Sequence, residues 1–362
     1  MGWIIYLPHF PKTKIFKTGH YGNHSNNNLD LTLKQLSVLC AWIILECHVI
    51  KYTIQRILLA VLIIACAVAT MFIMIHAVPG DPANVMLGPR ATPEIKEALR
   101  AKLHLDQPIT TQLFYFFRGL LSGDFGFDLR SNRPVLDIIF EQFPHTLILV
   151  TSALVVSTIG IPVGCYAAIH RNGKFDRVVG TISVSIIAMP AIVVGLYMLL
   201  FFSVKLRLFP VIGAGDSNDW LDYLWHLTLP VITISIAWIG YISRIVRASM
   251  IEVLNQNHVR MARAFGLPES KIMSRYALRI AVLPSITMLG VSVALILSST
   301  VIIEIIFARP GIGSLLYESV LSRNYPLVMG AVLFSTIFIV AGTTIADLAN
   351  AALDPRARKE AN

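Results

Sequence analysis

Six stretches of the chain are apolar over about the 20 residues that a helix needs to cross a bilayer core. They lie near Ile54–Ile75, Thr146–Ile169, Val178–Val204, Leu227–Ile245, Ala281–Ile306 and Pro326–Ala346. The fourth is the least regular, because Pro230 interrupts it and Arg244 closes it. Between the first two lies a long polar stretch from Pro79 to His145, containing "TPEIKEALRAKL". With Thr92 as N-cap, Pro93 at the first helical position and Glu94 in the first turn, this segment predicts a surface helix. The pattern as a whole predicts an all-α polytopic membrane protein of about six transmembrane helices.

One segment breaks the apolar rhythm. "HVRMARAFGLPESKI", from His258 to Ile272, carries Arg260, Arg263 and Lys271 between two membrane-grade runs. Ile251, Leu254, Met261, Ala262 and Phe265 recur at steps of three and four and predict one apolar stripe, with His258 on the same line and Arg260 and Arg263 off it. Gly266 falls where a helix C′ residue needs a positive φ, and Pro268 is tolerated only in the first turn of a following helix. The expectation is an amphipathic helix, a sharp turn, and a second helix returning to the membrane at Pro284. From the residues alone, three covers for the stripe are open: the protein's own spans, the lipid interface, or a partner.

Loop charges predict an orientation. "HRNGKFDR", between the second and third runs, holds Arg171, Lys174 and Arg177 against Asp176, and the stretch from Arg244 to Arg279 holds seven basic residues against two acids. The tail adds Arg356, Arg358 and Lys359, whereas "GAGDSNDWLD" has three acids and no base. The basic loops and both termini are therefore expected in the cytoplasm. Composition agrees with a membrane protein: 55% of residues are hydrophobic and only 14% charged, against about a quarter charged in soluble domains. The net charge of +9 is scattered over short loops rather than gathered in one stripe, so a nucleic-acid partner is not expected. The partner that composition requires is the lipid bilayer.

The first fifty residues fit this plan poorly. They contain no membrane-length run and no signal-peptide layout, the Asn/His-rich centre reads as disordered, and "LSVLCAWIIL" reaches only about half of a bilayer core. No methionine stands between Met1 and Met71, while "VIKYTIQRILLAV" from Val49 has the short, basic, then apolar layout of a membrane-protein start. Translation beginning at Val49 is one expectation, and the intact mass of the purified protein decides it. The expected division is residues 1–50 as this extension, 51–143 as the first span with a large external segment, 144–350 as the transmembrane core with a loop at 246–280, and 351–362 as a tail.

Several chemical signals carry little. Cys40, Cys47, Cys66 and Cys165 show no paired spacing and read as small core residues. "PGIG" at Pro310–Gly313 is not a nucleotide fingerprint, since neither phosphate-binding glycine motif occurs in the chain. Glu304, near one end of the fifth run, is expected to be solvated or capped, with a functional role left open. His76 and His145, near span ends, read as hydrogen-bonded anchors rather than a metal path. No catalytic constellation is visible, so no catalytic, metal or cofactor site is expected.

A resemblance narrows the choice among covers. "RMARAFGLPESKIMSRYALRIAVLP" resembles the cytoplasmic loop of binding-protein-dependent ABC importer permeases, in the dipeptide, oligopeptide, glutathione and nickel branch. That family's loop has an Ala-rich helix, a glycine and a distant Leu-Pro, matched by Ala262, Ala264, Gly266, Leu283 and Pro284. Arg260 stands where other branches have an acid. Tyr276 and Ile280 depart from the His and Asn usual there. "HAVPGDPANVM", "GLLSGDFGFDLRSNRPV", "FARPGIGSLLYESVLSRNYPLVMGAVL" and "ALDPRAR" agree in order, so the likeness runs from about Ile50 to Lys359.

The resemblance implies a type I ABC importer permease fold in a bacterial inner membrane, with the stripe docked into a separate ATP-hydrolysing subunit. Arg260, Ala262, Arg263, Ala264, Phe265 and Gly266 would form that coupling surface. It also implies two ATP-binding subunits, a second similar permease and an external substrate-binding protein, with small peptides as cargo and nickel or glutathione as alternatives. An ion-coupled secondary transporter is the other class; it predicts internal repeats and intramembrane acids, of which only Glu304 is present. ATP hydrolysis by the chain itself is not expected, and neither is a resident cofactor.

Overall fold

The computed structural model describes residues 53–74, 92–102, 106–128, 131–216 and 219–353. The sequence expectations for residues 1–50, for His76 and the whole of "HAVPGDPANVM", and for the basic residues of the tail lie outside these. The described chain is helical. Helix α1 is Thr53–Met74, α2 is Pro93–Lys102 and α3 is Ile109–Leu121. Phe116 of α3 packs on Phe72 of α1, with ring centroids 6.0 Å apart. The surface helix expected at Thr92 is thus present as α2.

The second run becomes α4, Val135–Ser157, and α5, Gly160–Ile169, which together make an apolar span of 35 residues. Glycine lets α5 lie directly on the next long helix. A Cβ on Gly160 would come within 2.7 Å of the Ile239 carbonyl, and one on Gly164 within 2.4 Å of the Ser243 carbonyl. Such a G-x-x-x-G face allows backbones in a membrane to touch. The motif is readable in "GIPVG", yet it was absent from the sequence expectations.

The third run is not the straight span expected over Val178–Val204. It forms α6, Lys174–Ala188, and α7, Ala191–Met198, which runs on as a π-helix over Leu199–Lys205; the two halves meet at 108°. The cause is Pro190. Its ring drives the preceding residue out of the helical region, and Met189 is extended at φ −85, ψ 134. Pro230, by contrast, does not interrupt: α8 runs unbroken from Trp220 to Leu254 with this proline inside it. At about 1.5 Å per residue its 35 residues reach about 52 Å, so the expected span Leu227–Ile245 is only its middle.

Helix α9, Asn257–Ala264, follows a break at Asn255–Gln256. The chain then returns through three short helical pieces, Glu269–Lys271, Ile272–Ala277 and Leu278–Ala281. Next come α10, Leu283–Ile306, α11, Ile312–Leu321, and α12, Tyr325–Leu353. Among the described residues, five helices are long and apolar enough to cross a membrane, or six if the bent α6–α7 pair counts as one span. The central core joins α4, α8 and α10 through Leu149, Val150, Ala153, Leu227, Ile234, Ile296 and Ile303. A second core joins α4, α11 and α12 through Val135, Ile139, Ile312, Leu327 and Ala331. At the end of the bundle that carries α9, Arg247 of α8 donates two hydrogen bonds to the Asp176 carboxylate of α6.

Candidate coupling surface and a buried carboxylate

Helix α9 ends as its sequence predicts. Phe265 is the C-cap and Gly266 takes φ +73. The Gly266 N–H donates to the Arg263 carbonyl at 2.9 Å, and the Leu267 N–H reaches back to the Ala262 carbonyl at 3.3 Å. These are the paired bonds of a Schellman motif, which only a left-handed C′ residue completes. Pro268 then precedes the first turn of the next helical piece, one position earlier than expected.

The apolar stripe is divided. Ile251 and Leu254 belong to the end of α8, because the break at Asn255–Gln256 separates them from α9. Within α9, Val259 and Ala262 face inward and pack with Met250, Val253, Ile272, Ala277, Ala281 and Ala168 of α5. Ala262, expected on the docking face, is therefore only 4% exposed; its small side chain lets α9 settle on its own chain. Met261 and Phe265, four residues apart, remain 58% and 78% exposed. Arg260, Ala264 and Gly266 are exposed beside them. Arg263 folds back to Glu269 across the turn, with Nε 2.7 Å from the carboxylate. What α9 offers outward is a small apolar knob, Met261–Ala264–Phe265, flanked by Arg260.

The opposite end of the bundle holds a different device. Of the two expectations for Glu304, solvated or capped, the structure shows the second: it is completely buried and its oxygens are hydrogen-bonded. Thr146 of α4 donates its hydroxyl to Glu304 Oε1 at 2.7 Å and accepts the Ile312 N–H at 2.8 Å. The Ser314 N–H reaches Glu304 Oε2 at 3.0 Å. The carboxylate thus sits on the N-terminus of α11, where free N–H groups and the helix dipole favour a negative charge. This explains "PGIG". A Cβ on Gly311 would lie 2.2 Å from Glu304 Oε1, and one on Gly313 would lie 2.6 Å from Val301 Cα.

Arg309 is buried beside this site with its guanidinium 4.9 Å from the centre of the Tyr223 ring. Its three side-chain nitrogens have no hydrogen-bond partner among the described residues. The His145 ring lies 6.1 Å from Tyr223, and its Nδ1 is also unpartnered. The sequence expectations missed Thr146, Arg309 and Tyr223, whose association depends on contacts between distant elements.

The described residues thus form a polytopic helical bundle with one broken span pair and a short amphipathic helix closed by a left-handed glycine. The comparisons name the family. Residues 160–359 match the binding-protein-dependent transport system inner membrane component family, and residues 49–150 match its N-terminal region. The chain is 34% identical over 310 residues to the glutathione transport system permease protein GsiC of Shigella flexneri serotype 5b (strain 8401), covering 85% of this chain and 99% of the relative. The same identity and coverage hold for GsiC of Escherichia coli (strain K12). In fold, it is similar to a chain of the MetNI methionine ABC transporter solved in inward-facing conformations, at TM-score 0.50 and 18% identity over 60% of this chain and 96% of that one.

The chain belongs to the binding-protein-dependent ABC importer permeases. It is a non-catalytic, multi-pass inner-membrane subunit, and ATP hydrolysis belongs to a separate subunit. The family works with ATP-binding subunits and a substrate-binding protein. An ion-coupled secondary transporter is thereby set aside.

Proposed function

We propose that this permease passes small peptides from an external binding protein through a path shared with a second, similar permease. Two ATP-binding subunits drive the cycle, and the exposed face of α9 is the surface on which one of them docks. The observation that carries the docking surface is Met261 and Phe265 left exposed beside a turn that Gly266 fixes through its left-handed conformation and the two Schellman bonds. A joint transmits movement only if it is stiff. The branch resemblance and the relatives named for glutathione, itself a tripeptide, favour a peptide cargo. In membrane vesicles containing the whole transporter, uptake of labelled di- and tripeptides should require ATP and the binding protein and should survive ionophores. Uptake of nickel with no peptide uptake would overturn the cargo.

The α9 end is cytoplasmic in this reading, as are both termini. The support is the loop charge, with Arg171, Lys174, Arg177 and the basic run from Arg244 to Arg279 at one end. Short loops rich in lysine and arginine stay on the cytoplasmic side. Single cysteines placed at Thr92 or Asp219 should react with an impermeant thiol reagent on intact cells, while those at Asn172 or Ser270 should react only after permeabilisation. The reverse pattern would refute the orientation.

A further inference from the structure

The docking surface is at one end of the chain's transmembrane core, and its movement must reach the bent α6–α7 pair to do work. Helix α9 continues α8 after only two residues. Seven residues before the end of α8, Arg247 grips Asp176 of α6, a residue 71 positions away in the chain. The grip is two-pronged: Nε and Nη2 donate to the two carboxylate oxygens, the latter at 2.7 Å. Asp176 is 7% exposed, and its Oδ2 also accepts the Asn172 N–H at 2.9 Å. Asn172 is in the left-handed region at φ +65, so the turn before α6 is wrapped around the same carboxylate.

The other described ion pairs between arginine and an acid, Arg133–Glu141 and Arg263–Glu269, are exposed on both sides. Exposed pairs contribute little and tolerate sliding. A fork on a carboxylate fixes direction as well as distance. Higher along the same contact, Gly240 of α8 meets Ser183 of α6, with 3.1 Å between its notional Cβ and the serine Cβ. Beyond the Pro190 bend, Gly195 of α7 lies against Ile303 and Ile306 of α10, the latter at 2.9 Å from a notional Cβ. A continuous line of close contacts therefore runs from α9 through α8 and α6 to the Glu304 end of α10.

We propose that Asp176 and Arg247 are positioning residues that form a strut making α6 follow α8 when α9 is displaced, so that hydrolysis and solute movement stay coupled through this pair. The inference rests on α9 as the docking surface. Its test uses the whole transporter in proteoliposomes, reading ATP hydrolysed and labelled peptide transported in the same sample. Asp176→Asn keeps shape and removes the charge. It should assemble with the ATP-binding subunits and hydrolyse ATP, while peptide moved per ATP falls at least about fivefold, the lower end of ordinary coupling between sites. Arg247→Lys keeps the charge and loses the fork, and should fall between wild type and Asp176→Asn; it carries the test alone if Asp176→Asn does not accumulate.

An unchanged ratio of transport to hydrolysis overturns the strut. So does a proportional loss of both activities, which would mark a merely structural pair. Failure of the wild-type transporter to couple ATP to uptake would instead overturn the proposed function and leave a different signature.

Discussion

A permease carrying Gly266→Val should insert and accumulate normally yet lose its ATP-binding subunits and its ATP-driven uptake together. Nothing lies within 4 Å of a Cβ placed on Gly266, so the substitution adds no clash. Its whole effect comes from φ +73, a region that costs an L-residue about 1–2 kcal/mol and a β-branched one more. That strain is relieved by giving up the two bonds that close the Schellman turn, from Gly266 to Arg263 and from Leu267 to Ala262. Phe265 and Met261 then point elsewhere, while the spans, held by their own cores, are untouched. Gly266→Asn should retain more activity, because asparagine tolerates the left-handed region best among the other residues. Co-purification and uptake measured for both variants check the order.

Gly311→Ala should act at the opposite end and by a different route. Gly311 is extended, at φ 170, so backbone conformation is no obstacle to alanine. The obstacle is space: the new methyl would sit 2.2 Å from Glu304 Oε1 and 2.3 Å from its Cδ. Either α11 lifts away or the carboxyl turns from its donors, and a buried acceptor deprived of its hydrogen bonds costs about 1–3 kcal/mol. The yield and thermal stability of the purified permease should both drop sharply. Gly180→Ala is the control. It lies within α6 with nothing within 4 Å of its Cβ, and alanine there should be neutral or stabilising by about 0.5–1 kcal/mol. Equal behaviour of the two variants would mean that Glu304 is not what Gly311 accommodates.

What could be read in advance followed from constraints local to a few residues. Apolar runs of membrane length gave the spans, and a glycine before Leu-Pro gave the left-handed turn after α9. The two prolines show the limit. Pro230 was expected to interrupt its run and lies inside an unbroken helix, whereas Pro190, which was not singled out, stands at a bend of 108°. Both remove one N–H and crowd the preceding turn. The difference is that the residue before Pro190, Met189, leaves the helical region. For Glu304, the choice between solvated and capped lay beyond any local window. Its partner Thr146 is 158 residues away, and its other donors come from the next helix. Ala262 was placed on the wrong side because the stripe was drawn through Asn255–Gln256 as though α8 and α9 were one helix.

The docking of α9 is the central claim, and contact across that surface tests it most directly. With Phe265→Cys in an otherwise cysteine-free transporter, a bifunctional thiol-to-amine reagent should join the permease to its ATP-binding subunit, and the joined band should disappear when Gly266→Val is added. A cysteine at Phe265 that reacts freely with soluble reagent in the assembled transporter, and never joins to the ATP-binding subunit, would contradict the claim.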